Sequence, residues 1–181
     1  MSHTYIETFT GKRSYPLDPT PHEVCIEDIA HALSRQCRFA GHVKDFYSVA
    51  EHSIWTSYIL EVTGHDVRTQ LWGLMHDASE AYLVDLPTPL KTGAFGEAYR
   101  AAEAKLMKVI ANKFGLGECP EAVYEADAAM LSSEARQFMF FNEDNWRNLA
   151  DPVGFPLPRI GDIPFVEKSF IRQFDLLVTQ L

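Results

Sequence analysis

Apolar residues recur at every third or fourth position along most of the chain, which is the spacing of one buried helix face. Glycine and proline fall between the segments with this spacing, and both residues end helices. No segment shows the sustained alternation of a half-buried strand, although residues 5–9 could pair as a short strand. Helices are predicted over residues 24–37, 46–62, 67–83, 94–114, from 121 past 130 with 138–141 continuing it inward, and 165–181.

This pattern predicts an all-α fold in a single domain of 181 residues. The helix over 67–83 is apolar around most of its circumference, so we expect it at the centre of the bundle. Asp66 stands where its side chain can cap the first turn of that helix. Pro87 and Pro89 predict a stiff, extended loop beside this helix, and the prolines and glycines of 151–164 predict a second loop.

The chain is acidic, with 16 lysines and arginines against 25 aspartates and glutamates and a formal charge of −9. Proteins that bind nucleic-acid polymers carry basic surfaces, because releasing counterions from phosphates supplies much of their affinity. We therefore expect no nucleic-acid polymer and no membrane as a partner, whereas a small phosphate compound needs only a few local cations. The three cysteines form no C-x-x-C pair and no apolar run reaches the roughly 20 residues of a membrane helix, so a reduced, cytoplasmic protein is expected.

Two His-Asp dipeptides occur, and their surroundings differ. His65-Asp66 follows a glycine at a predicted helix start, where capping accounts for the aspartate. His76-Asp77 lies among apolar residues in WGLMHDASEAYL, and a buried charge has to be paired or bound to a metal. Neither G-x-G-x-x-G nor G-x-x-x-x-G-K-[ST] is present, so phosphate chemistry in this chain would have to use a metal.

Two further residues can complete a metal site around His76-Asp77. His52 lies on the apolar side of the preceding helix, and Asp127 lies among alanines on a later helix. Each alone is compatible with a structural role, His52 as a core histidine and Asp127 as a solvated carboxylate. Together the four residues predict two imidazoles and two carboxylates around one divalent ion, Co²⁺, Mn²⁺, Zn²⁺, Ni²⁺ or Fe²⁺. Glu80, one helical turn after His76, is the candidate proton acceptor for an attacking water, or alternatively a member of an ordinary ion pair.

The segments CRFAGH, YSVAEHS and HDASEAYLVDLPTPLK, with the later Ala-Asp pair, resemble the HD-domain phosphohydrolase superfamily. Within it they resemble the 5'-deoxynucleotidase branch, which includes short prophage members and phage dATP triphosphohydrolases. The resemblance covers about residues 26–132. It implies an HD-domain helical bundle with a core over about 24–132 and a C-terminal helical extension over 133–181.

The resemblance also implies a role for each site residue. The four metal ligands are His52, His76, Asp77 and Asp127, Glu80 handles the attacking water, Arg38 and Phe39 meet the nucleotide, and Asp85 and Lys91 contact the sugar and the phosphate. Structural alternatives stay open for three of them. Arg38 could complement a helix dipole, Asp85 could cap the next turn, and Lys91 could simply be solvated.

The expected activity is hydrolysis of 2'-deoxyribonucleotides by metal-activated water that attacks the α-phosphorus. A 5'-deoxynucleotidase acting on monophosphates is favoured, because Tyr124 stands where many relatives place a lysine that can contact phosphate. A dATP or dNTP triphosphohydrolase is the alternative, and a non-catalytic HD module that senses a nucleotide is a further one. A homo-oligomer is expected from the resemblance and from the aromatic-rich helices.

Overall fold

A computed structural model describes residues 4–181 and shows a mainly helical protein, which confirms the all-α class. Two short strands, β1 (Ile6–Glu7) and β2 (Arg13–Ser14), pair antiparallel with Ile6 opposite Ser14. The strand predicted within residues 5–9 is therefore present. The helices are α1 (Ile26–Arg35), α2 (Val49–Val62), α3 (Val67–Met75), α4 (Glu80–Leu83), α5 (Gly93–Phe114), α6 (Glu121–Phe138) and α7 (Ile163–Val178).

Helix α2 lies at the centre of the bundle, because it packs against α1, α3, α6 and α7. The prediction that the segment 67–83 would be central is wrong in this respect. Serines and alanine on α2 give it small buried faces on several sides, so neighbouring helices can approach it closely. Gly73 of α3 is one such contact: a Cβ atom built on it would lie 2.5 Å from Cδ1 of Leu60 and 3.1 Å from Cα of Ser57.

The start of α2 is fixed by a capping box. Ser48 Oγ accepts a hydrogen bond from the backbone N–H of Glu51, and the Glu51 carboxylate accepts one from the backbone N–H of Ser48. The predicted helix start at residue 46 is therefore three residues early. Asp66 caps α3 as predicted, since its carboxylate accepts from the N–H of Thr69 at 2.9 Å.

The segment 67–83 is not one helix, as predicted, but two helices joined by a turn. Helix α3 ends at Met75, and α4 begins at Glu80. The turn between them is closed by short-range bonds, from the N–H of Ala78 to the Met75 carbonyl and from the N–H of Glu80 to the Asp77 carbonyl. The His-Asp dipeptide therefore lies in a tight turn, where both of its side chains can point to the same side.

The C-terminal third joins the same core. Helix α6 ends at Phe138, and Phe140 is 89% exposed, so the predicted inward continuation over 138–141 is wrong. The predicted loop over 151–164 leads to α7, which Asp162 caps and which packs against α1, α2 and α3. Across residues 4–181, no helix combines the length and the apolar character that crossing a membrane requires.

Candidate metal centre

Donor atoms of His52, His76 and Asp127 lie within 4.8 Å of one another, and Asp77 lies beside the two imidazoles. Nε2 of His52 lies 3.2 Å from Nε2 of His76 and 3.0 Å from Oδ1 of Asp127. Oδ2 of Asp77 lies 3.3 Å from Nε2 of His76 and 3.7 Å from Nε2 of His52. Of the four residues that the sequence predicts as metal ligands, His52, His76 and Asp127 form a group that could hold a metal ion, and Asp77 flanks that group.

These side chains come from three structural positions. His52 lies on the second turn of the central helix α2, and its side chain is fully buried. His76 and Asp77 come from the turn after α3, whose close packing on α2 brings the two imidazoles together. Asp127 comes from α6, which also packs on α2, and 43% of its side chain remains exposed. The cluster is therefore buried on the α2 side and open on the Asp127 side.

The ring nitrogens that face each other are both acceptors in the neutral imidazoles. Nδ1 of His76 lies 2.7 Å from the Gly73 carbonyl, which can only accept, so the hydrogen of that ring is on Nδ1. Nδ1 of His52 lies 2.7 Å from a carboxylate oxygen of Glu134 and donates to it. The two Nε2 lone pairs are therefore left to share a positive charge, which a proton or a metal ion can supply.

The donor set fits a divalent metal. Metal–nitrogen and metal–oxygen bonds of about 2.0–2.2 Å place neighbouring ligand atoms roughly 3 Å apart in an octahedral or tetrahedral shell. The separations of 3.0 to 3.8 Å between the donor atoms match that spacing. Mixed imidazole and carboxylate ligands suit borderline ions such as Mn²⁺, Co²⁺ or Zn²⁺.

The charges around the cluster also favour a cation. Burial and the Arg38 charge act to lower the pKa of His52, but the carboxylates of Glu134 and Asp127 outweigh them and raise it to about 10. Burial acts to raise the pKa of Asp77, yet the His76 and His52 rings hold it far below its usual range. The carboxylate of Asp77 therefore stays ionised at neutral pH and available as a ligand.

Glu80 lies directly beside this centre, at the first position of α4. Glu80 is 4% exposed, and its Oε2 atom has no hydrogen-bond partner among residues 4–181. Burial raises the pKa of Glu80 well above its usual value, and the neighbouring carboxylates of Asp77 and Asp85 raise it further. A buried carboxyl with an unpaired oxygen and a high proton affinity is suited to accept a proton, and no residue within 4–181 forms an ion pair with it.

Arg38 lies between the metal cluster and a second buried carboxylate. Its Nε donates to Oε2 of Glu134 at 3.1 Å, and its Nη1 lies 3.5 Å from Oδ2 of Asp77. Phe39 is next to it, with the guanidinium 5.4 Å from its ring centre. The Phe39 ring also meets Trp146 edge-on at 6.2 Å, and its φ of 56° places the backbone in the left-handed region. Arg38 thus belongs to the centre, and Phe39 and Trp146 flank it.

The two residues expected at the sugar and the phosphate, Asp85 and Lys91, lie in the segment between α4 and α5. The Lys91 ammonium is 3.0 Å from Oε1 of Glu103 and lies over the Tyr99 ring, so it is paired within the protein. Burial raises the pKa of Asp85, and the Asp77 charge also acts in that direction. Burial acts to lower the pKa of Lys91, but Glu103 raises it, and the charges of Glu80 and Asp77 act in the same direction as Glu103.

Two further residues, Glu134 and Gln36, hold this centre together, and neither was predicted from the sequence. Glu134 is fully buried and bonds His52, Arg38 and the hydroxyl of Tyr47. Its signal in the sequence is a charge seven residues after Asp127, two helical turns along the same face. Gln36 links α1 to the loop after α4, because its amide donates to the Glu80 carbonyl and accepts from the Asp85 N–H. A lone glutamine offers no comparable signal.

Two proteins of known sequence are similar to this chain. The uncharacterized protein YfdR of Escherichia coli strain K12 is 38% identical over 144 residues, which cover 79% of this chain and 77% of YfdR. The uncharacterized protein RCAP_rcc00048 of Rhodobacter capsulatus is 32% identical over 196 aligned positions, which cover 100% of this chain and 99% of that protein. No family model matches the chain. At these levels of identity and coverage, the chain belongs to one family with YfdR and RCAP_rcc00048.

Proposed function

We propose that this protein is a metal-dependent phosphohydrolase of 2'-deoxyribonucleotides, with the HD-domain fold that the motifs suggest, and that it acts as a 5'-deoxynucleotidase. The observation that carries the proposal is the position of Glu80. A buried carboxyl with an unpaired oxygen stands three residues after Asp77, which flanks the group of His52, His76 and Asp127 that could hold a metal ion. A structural metal site has no use for such a group, whereas hydrolysis needs a proton acceptor beside the ion.

His52, His76, Asp77 and Asp127 would hold the ion. A divalent metal in such a site lowers the pKa of water and offsets negative charge on phosphate oxygens. Glu80 orients the attacking water and takes its proton on Oε2. The high proton affinity that burial, Asp77 and Asp85 give this carboxyl makes it a stronger base than an exposed glutamate.

Arg38 binds the phosphate through its guanidinium group. Its guanidinium is buried and permanently charged, and the Nη1 side faces Asp77 while the Nε side is tied to Glu134. A guanidinium can offer paired N–H groups to two phosphate oxygens, and its charge stabilises the negative charge that grows on them during attack. Lys91 can add a second cation if it leaves Glu103 when a nucleotide binds.

Phe39 provides the selectivity for the deoxy sugar in this proposal. It follows Arg38 directly, and the edge-on contact with Trp146 restrains its ring. A ring held beside the phosphate-binding arginine would pack against a 2'-deoxyribose and crowd a 2'-hydroxyl. The Asp85 carboxylate contacts the hydroxyl groups of the same sugar.

The monophosphate is preferred over the triphosphate because of Tyr124. This residue lies one turn before Asp127 on α6 and is 64% exposed, so a longer phosphate tail that leaves the centre along α6 meets a phenol instead of an ammonium. A triphosphohydrolase that releases deoxynucleoside and triphosphate uses the same attack on the α-phosphorus and is the alternative.

Phosphorus NMR of products tests the proposal directly. Protein reconstituted with Co²⁺ or Mn²⁺ is incubated with dAMP, AMP and dATP, then with the other deoxynucleotides, and the His76→Ala variant serves as the blank. Inorganic phosphate from dAMP and none from AMP is expected. Triphosphate from dATP with dAMP unchanged would establish the alternative. A protein that binds nucleotide and hydrolyses none of these compounds would be a sensing module.

A further inference from the structure

One buried carboxylate connects the metal cluster to the phosphate-binding arginine. Glu134 has no exposed surface, and its Oε1 accepts hydrogen bonds from Nδ1 of His52 at 2.7 Å and from the hydroxyl of Tyr47 at 2.9 Å. Its Oε2 accepts one from Nε of Arg38 at 3.1 Å. The three donors come from separate parts of the chain: the segment after α1, the residue before the α2 capping box, and α2 itself.

The bond to His52 determines which ring nitrogen is free for a metal. A carboxylate accepts and does not donate, so it holds the His52 hydrogen on Nδ1 and leaves the Nε2 lone pair directed at His76 and Asp127. Acceptors behind metal-ligating histidines fix the ring orientation in this way and strengthen the ligand.

The bond to Arg38 determines which edge of the guanidinium is free for a substrate. Arg38 is 9% exposed, and a buried guanidinium needs an anion beside it. Glu134 takes the Nε edge, and the Nη1 atom is left 3.5 Å from Asp77, on the side of the cluster. Without Glu134, Asp77 would be the nearest anion left to this guanidinium, and a closer ion pair with Arg38 would compete with a metal for the Asp77 carboxylate.

We propose that Glu134 is a positioning residue that couples the two halves of the site, because it holds the His52 ring for the metal and the Arg38 guanidinium for the phosphate. The proposal rests on the function proposed above, in which these two residues serve those roles. Removing the acceptor should therefore weaken both metal binding and phosphate binding, although Glu134 touches neither ligand.

Glu134→Gln is the informative substitution, since glutamine keeps the shape and loses one acceptor. With its oxygen toward His52, its NH₂ group faces the N–H of Arg38, and two donors repel. Reversing the amide moves the conflict to His52. The matched control is Tyr47→Phe, which removes the third hydrogen bond to the same carboxylate and leaves both the charge and the other two bonds.

Two binding measurements give the readout without any turnover. Titration with Co²⁺, followed by calorimetry and by the visible spectrum of the bound ion, should show about 10- to 100-fold weaker binding in Glu134→Gln. At saturating Co²⁺, the dissociation constant of inorganic phosphate should also rise in Glu134→Gln. Tyr47→Phe should bind Co²⁺ and phosphate as the unaltered protein does.

A folded Glu134→Gln variant that binds Co²⁺ or phosphate as tightly as the unaltered protein would overturn the proposal. So would equal losses in Tyr47→Phe, since they would indicate general damage to the core. If Glu134→Gln does not fold, ¹⁵N NMR of the Zn²⁺-loaded, unaltered protein decides: His52 should carry its proton on Nδ1, and a proton on Nε2 would overturn the inference. Hydrolysis of no nucleotide would refute the proposed function alone, because none of these measurements requires turnover.

Discussion

Nε2 of His52 lies 3.2 Å from Nε2 of His76, while Nδ1 of each ring faces an acceptor. Both rings are thus turned so that their free lone pairs meet. Two lone pairs at that distance repel unless a positive charge lies between or beside them. A proton or a metal ion can supply that charge, and the Asp127 carboxylate beside both rings, with Asp77 next to His76, makes a divalent cation the ligand that we propose here.

The first prediction concerns this metal site. Co²⁺ or Mn²⁺ should bind at one ion per chain and stabilise the fold, by about 2.7 kcal/mol at a free concentration of 100 times the dissociation constant. His76→Ala should abolish both the binding and the stabilisation. The control is His65→Ala, which alters the exposed histidine of the other His-Asp dipeptide. Metal analysis and thermal unfolding measure the effect, and metal-dependent stabilisation that survives in His76→Ala would contradict the prediction.

The second prediction separates chemistry from metal binding. Glu80→Gln keeps the size of the side chain and removes its ability to accept a proton, so kcat for dAMP should fall by about 10² or more. The ion should stay bound, because Glu80 is not among the ligands. Glu125→Gln, on an exposed position of α6, is the matched control and should leave kcat unchanged. A Glu80→Gln variant with normal kcat would remove Glu80 from the mechanism.

The third prediction follows from the raised pKa of Glu80. A base works only when deprotonated, so the rate falls as the pH drops through the pKa of this carboxyl. Asp85 is one of the charges that raise that pKa, after burial and Asp77. Asp85→Asn should therefore lower the pKa of Glu80 and shift the acid limb of the kcat profile to lower pH.

The position of the limb is the criterion for Asp85→Asn, since Asp85 also faces the sugar in the proposed site and the absolute rate will change. Asp45→Asn removes an exposed carboxylate and should leave the limb where it is. A limb that stays in place in Asp85→Asn, or moves to higher pH, would show that another group titrates.

The four candidate ligands could be predicted from the sequence because each is an ionisable or imidazole side chain on an apolar segment, a pattern that is costly without a partner. Glu134 was not predicted, although it follows Asp127 by two helical turns, because the role of a buried acid on α6 becomes clear only when α2 brings His52 and the segment after α1 brings Arg38 to it. The break after Met75 was not predicted either. Propensity favours a continuous helix there, and the turn depends on short-range bonds that residue types do not specify.

The fourth prediction concerns the contact that holds His52 and His76 at their separation. Helices α2 and α3 meet at Gly73, where a methyl group would press on Leu60 and on the Ser57 backbone. Alanine has the higher helix propensity, by about 1 kcal/mol, but overpacking a close contact costs about 1–3 kcal/mol. Gly73→Ala should therefore lower the free energy of unfolding in urea. It should also weaken Co²⁺ binding, because the added methyl group would push α2 and α3 apart and so increase the distance between the His52 and His76 rings.

Gly154→Ala is the matched control for this substitution. Gly154 lies in the loop before α7, where a Cβ atom would meet nothing within 4 Å. The free energy of unfolding of Gly154→Ala should stay within about 0.5 kcal/mol of that of the unaltered protein, and its Co²⁺ affinity should be unchanged. If Gly73→Ala were as stable as Gly154→Ala and bound Co²⁺ equally well, the spacing of α2 and α3 would not set the metal site. The turn at His76-Asp77 would then have to adjust on its own, and its short-range bonds would be the next target for substitution.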